Sequence, residues 1–171
     1  MYYTTLNKLL KLIPRESLLV DLLKHLGKKD TDDEPFPITA ILDCSGLSDA
    51  IWALRACDCS EKDARLFGVW LARQAQPDEP NEKAIIAIET AEKFADGDAT
   101  EDELWAAWCD AEDAAISSGS YAAWAAESAS SIQSPFDSLD WTAHQSFKAI
   151  KEKLLESIHK AQKDEFRRRF G

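Results

Sequence analysis

Apolar residues recur at three- and four-residue spacing along most of the chain, and no window alternates with the period of two that a half-buried strand requires. That property confines the sequence to helices, because such a pattern lines up on one face only when wound at about 3.6 residues per turn. Leu6, Leu9, Leu10 and Ile13 form the first stripe, and Pro14 ends it. Leu18, Leu19, Leu22, Leu23 and Leu26 form the second, closed by Gly27. After a charged, proline-bearing connection over 28–37, Ile38, Ile41 and Leu42 predict a short helix that stops near Gly46. Ser48, Ser60, Asn81 and Thr100 each precede a further apolar stripe and are expected to be N-caps. Thr100-Glu101-Asp102-Glu103 has the form of a full capping box. Gly97 and Gly119 predict helix ends, and Ser134-Pro135 predicts a break. A long final helix is then expected over 141–170, with Phe147, Ile150, Leu154, Ile158, Ala161 and Phe166 inward.

The expected fold class is therefore all-α, a single-domain bundle of antiparallel helical hairpins over 1–171. Its parts are an N-terminal helical pair (1–27), a helical body (37–133) and the long C-terminal helix (141–170). A chain of 171 residues with 45% hydrophobic residues is large and apolar enough for one core. The start of the chain lacks the pattern of a signal peptide, and no apolar run approaches the roughly 20 residues that span a bilayer. A cytoplasmic protein of a bacterial host cell is expected.

Charge narrows the choice of partners. The net charge is −11, and the stretch Pro77–Asp113 alone holds thirteen acids against Lys83 and Lys93, while the rest of the chain cancels. A field this one-sided disfavours direct contact with nucleic acid or an anionic membrane and favours a basic protein surface. Because the stretch contains two capped amphipathic helices, its carboxylates are expected on a folded scaffold. Glu82, Glu89, Asp96, Asp98 and Asp102 are the candidates for the partner-facing acids, and Trp105, Trp108 and Trp124 for aromatic anchors or core.

Catalytic patterns are not found. None of His25, His144 and His159 belongs to H-E-x-x-H, no pair of E-x-x-H segments suggests a di-iron site, and the glycines are too isolated to cradle phosphate. Asp110, Glu112 and Asp113 lack the glycine and ligand series of a calcium loop. Cys57 and Cys59 form C-x-C rather than C-x-x-C, so with Cys44 and Cys109 they read as reduced core thiols. No catalytic residue, metal or cofactor is expected, and a non-enzymatic role leads. Arg55, Arg65 and Arg73 are expected to pair with carboxylates of the acidic helices. An arginine-lined anion pocket built from them, and with it an enzyme, is the weakest alternative.

Three runs carry a family resemblance: Leu47-Ser48-Asp49-Ala50-Ile51-Trp52-Ala53-Leu54-Arg55-Ala56, then Ala64-Arg65-Leu66-Phe67-Gly68-Val69-Trp70-Leu71-Ala72-Arg73-Gln74, then Ala87 to Gly97 with Ala99-Thr100-Glu101-Asp102-Glu103-Leu104. Followed by the Ala/Trp-rich tract, they resemble the Imm-5-like immunity protein family, common in phages and prophages, over roughly residues 26–126. The resemblance implies a class of role and supplies no catalytic residues. Together with the charge it predicts a binding protein that neutralises a basic toxin or nuclease by covering its catalytic or nucleic-acid-binding surface. A phage setting also admits an anti-CRISPR-like inhibitor of a host defence complex, its carboxylates standing in for nucleic-acid phosphates. A homodimer through the long last helix is compatible with either.

Overall fold

The computed structural model describes residues 1–12, 16–76, 81–132, 134–149 and 155–171. Ile13, Pro14, Ile150 and Leu154 lie outside them, as do the side chain of Ile158 and residues 77–80 of the acidic stretch. The architecture is all-α, with ten α-helices and one two-stranded sheet among the described residues. Local chemistry sets the helix ends. Ser60 Oγ accepts the Asp63 N–H at 3.1 Å and opens α5 (Glu61–Ala75), and Asn81 Oδ1 accepts the Lys83 N–H at 2.9 Å and opens α6 (Glu82–Asp96). At α7 (Glu101–Ser118) the capping box is complete: Thr100 Oγ1 accepts from Glu103 N–H, and Glu103 Oε2 accepts from Thr100 N–H. Gly97 and Gly119 close α6 and α7 at φ +86° and +61°, where a side chain would be strained.

The described residues fall into two compact units, Met1–Cys59 with Ala161–Gly171, and Ser60–Lys160. In the first, β1 (Tyr3–Thr4) pairs antiparallel with β2 (Phe36–Pro37), Tyr3 opposite Pro37 and Thr4 opposite Phe36. Two residues per strand are too few to show alternation, so this pairing escaped the periodicity argument. The unit also holds α1 (Leu6–Leu10), α2 (Glu16–His25), α3 (Thr39–Ser45) and α4 (Leu47–Ala53). Gly46, not Ser48, occupies the N-cap position of α4, and Ser48 lies inside that helix. The far half of α10 (Leu155–Phe170) completes the unit: Tyr2 N–H donates to Phe170 O, the Tyr2 and Phe170 rings lie 5.4 Å apart, and Arg167 pairs with Asp43. Arg168 and Arg169 bind Glu165 on their own helix, so the basic terminus is engaged in ion pairs as well as placed at a helix C-terminus.

The second unit is built on α5, which packs against α6, α8 (Tyr121–Ala129) and α9 (Pro135–Ala149). Helix α9 begins at Pro135, where the sequence reading put a break and a later start. Proline suits a first helical position because its missing N–H would have no partner there. Lys62 near the start of α5 binds Asp96 at the end of α6 at 2.9 Å, and Lys83 at the start of α6 binds Asp110 well along α7 at 2.9 Å. Those pairings follow from antiparallel hairpins. Alanines dominate the buried cluster of this unit, with Val69, Ile88 and Leu104 as its larger members.

Gly68 lies inside α5 against α8 and α9. A Cβ there would meet Leu139 Cδ1 at 3.5 Å and the Ala129 Cα and Cβ at 4.0 Å, which is ordinary contact. Gly68→Ala is expected to stabilise the protein by about 0.5–1 kcal/mol through helix propensity, a gain that chemical denaturation would register as a raised midpoint at constant slope.

Candidate partner-binding site

Helix α6 presents its acids in register. Glu82, Glu89 and Asp96 recur every seven residues, two helical turns, so all three lie along one exposed stripe. Asp98 in the joint and Asp102 in the first turn of α7 are exposed as well. Asp96 is not available in the same way as the others, because its carboxylate holds Lys62. Glu92 takes a two-pronged bond from Arg73 at 2.7 and 2.6 Å. Glu103 is committed to its capping box, and the Thr100 N–H, then the Thr100 hydroxyl, hold its carboxyl below the usual range. A shallow depression of about 390 Å³ lies beside these acids, lined by Ile86, Thr90, Lys93, Asp98, Glu103 and Asp110 among others.

The arginines divide. Arg73 makes the expected ion pair with an acidic helix. Arg65 does not: it is 5% exposed, donates Nη1 to the Ser131 carbonyl at 2.7 Å just beyond α8, and lies 5.1 Å from the Phe94 ring centroid. Burial lowers its pKa, opposed by the charge of Glu61. Only tertiary packing brings α5 beside the end of α8, so nothing local to Arg65 could have revealed this partner. Arg55 reaches the Trp52 carbonyl on the preceding turn at 3.5 Å.

The tryptophans are neither uniformly core nor uniformly exposed. Trp105 is 48% exposed, with its ring centroid 5.0 Å from that of half-buried Trp108. Trp108 and Trp124 instead line a groove of about 310 Å³ with Trp141, Glu127, Ser128, Ser131, Asp137 and Ser138. The Trp108 indole N–H donates to Glu127 Oε1 at 2.7 Å, and the Ser128 hydroxyl lies 3.1 Å from Oε2. Burial pushes the Glu127 carboxyl up, the bonds from Trp108 and Ser128 oppose that, and Glu112 adds to it. The Trp141 ring, half exposed, stacks on His144 with centroids 5.8 Å apart. Trp141 and Glu127 were missed in the sequence reading. Asp137 and Trp141 are four apart on α9, a spacing that puts them on one face, but the assumed break at Pro135 hid it.

Other chemistry is sparse. The four cysteines are partly rather than fully buried, and burial pushes the Cys57 thiol up to about 12, far from a nucleophilic thiolate at neutral pH. Among the described residues no group of three or more His, Cys, Asp or Glu side chains is placed to hold a metal ion, and no helix is long and apolar enough to cross a membrane. No protein-family model, curated protein or solved structure matches the chain.

Proposed function

We propose that the chain is a non-enzymatic acidic binding protein of the immunity or inhibitor type, which neutralises a protein partner by covering a basic catalytic or nucleic-acid-binding surface. The observation that carries this reading is the set of exposed acids Glu82, Glu89, Asp98 and Asp102, carried by two capped helices and the joint between them, with Asp96 of the same stripe bound to Lys62. The resemblance to Imm-5-like immunity proteins supports the same class of role. Rigid, one-signed charge raises the rate of encounter with a complementary surface, and aromatic contacts then slow release. Arg65 and Arg73 direct donors at protein groups rather than at an anion pocket, which weakens the enzymatic alternative.

The test replaces Glu82, Glu89, Asp98 and Asp102 together by lysine. These acids are exposed, so the fold is expected to survive, and circular dichroism checks that it does. Partners captured by the native protein from its host and identified there should lose association rate by about tenfold to a hundredfold on charge reversal at low ionic strength. Their inhibition should weaken in parallel, and the native salt dependence should flatten. Partners that bind the reversed protein equally well would remove the electrostatic reading. Direct competition between the chain and nucleic acid for the same partner would favour the counter-defence version.

A further inference from the structure

We propose that the groove lined by Trp108, Trp124, Trp141 and the Glu127 carboxylate is a receptor site for a lysine side chain of the partner protein. This rests on the neutralising role proposed above and names how the partner is gripped. Indole rings attract cations through the negative potential of their faces, tryptophan more strongly than tyrosine or phenylalanine. Three of them line this groove, and Glu127 lies among them as a half-buried carboxylate. It accepts from two neutral donors, the Trp108 indole and the Ser128 hydroxyl. A charge withdrawn from water in this way is costly until a counter-ion meets it, and a cation entering the groove supplies one.

Local charge points the same way. Asp137 lines the same groove, and among the described lining residues there is no lysine or arginine. Arg65 reaches the wall through the Ser131 carbonyl, which its Nη1 already occupies. The volume, about 310 Å³, is at the small end for ligand sites and fits one long side chain better than a drug-sized molecule. Ammonium suits the carboxylate better than guanidinium does. Glu127 Oε1 already accepts from Trp108, so a point donor can use what remains, whereas the arginine fork takes both oxygens at once. Ser131 and Ser138 also line the groove, and their hydroxyl oxygens can accept from the remaining ammonium protons.

The site also reassigns the aromatic anchors. Trp108 and Trp124 receive a side chain from the partner rather than inserting into it, while Trp105 remains on the surface. Tryptophan is among the residue types that dominate interface hot spots.

The 171-residue protein is titrated with Nα-acetyl-lysine amide while the Trp108 indole N–H resonance is followed by NMR. Nα-acetyl-norleucine amide serves as the uncharged control and Nα-acetyl-arginine amide as the competitor. A saturable shift with a millimolar Kd is expected for the lysine probe, with weaker binding of the other two. Glu127→Gln keeps an acceptor for the Trp108 N–H and removes the charge, so it should weaken lysine binding by about tenfold. Trp141→Ala, at a ring that is 51% exposed, should weaken it by about fivefold and reads the same site should Glu127→Gln disturb the fold. Equal binding of norleucine, tighter binding of arginine, or full affinity in both variants overturns the proposal. Neither variant touches the α6 and α7 acids, so a failure here is distinguishable from a failure of the charge-reversal experiment.

Discussion

Leu104→Ala will destabilise the protein by about 3–4 kcal/mol, within the upper part of the range for buried leucines. Leu104 has no exposed surface and sits in a cluster of ten residues of which seven are alanine. Two features place the expected cost high. Alanine side chains bring helix backbones close together, and backbones so placed have little freedom to move into a vacated volume. The neighbours themselves have no rotamers with which to refill it, so the cavity stays largely open. Urea denaturation would show this as a lower midpoint with an unchanged slope. A loss below about 1.5 kcal/mol would mean that the helices of this unit relax more readily than their close packing implies.

The second large effect is expected at Arg65. Its replacement by alanine removes a charge-assisted bond to the Ser131 carbonyl, the contact with the Phe94 ring and the packing of a buried stem, together about 2–3 kcal/mol. Arg65→Met separates these contributions. Methionine keeps most of the stem and drops the charge, and it also removes the cost of holding a cation away from water, so its loss should be about half as large. The comparison is decisive about the arginine's role: equal losses in the two variants would show that the guanidinium, not the stem, holds α5 to the end of α8.

Neither residue advertised this in the sequence with equal clarity. The Leu104 stripe is local, since residues three and four apart on one helix must share a face. The partner of Arg65 lies 66 residues away, and a buried arginine can be satisfied by any carbonyl or carboxylate that packing delivers. The same distinction runs through the site. The acidic stripe of α6 follows from seven-residue spacing, while the loss of Asp96 to Lys62 depends on the pairing of two helices. Trp108 and Trp124 could be selected as candidates from type alone. Their convergence with Glu127 and Trp141 could not, because α7, α8 and α9 each contribute part of the wall.

Sequence by itself determined the helices and most of their ends. Caps at Ser60, Asn81 and Thr100 and the positive-φ glycines at 97 and 119 are satisfied by bonds within a few residues, so their chemistry is readable without tertiary context. It also determined the sign and location of the charge. Tertiary structure alone decided that the C-terminal residues Ala161–Gly171 join Met1–Cys59, that Tyr3–Thr4 and Phe36–Pro37 pair, and that three tryptophans and Glu127 line one groove. Those outcomes depend on contacts between segments far apart in the chain, where periodicity carries no information and only packing selects the partner.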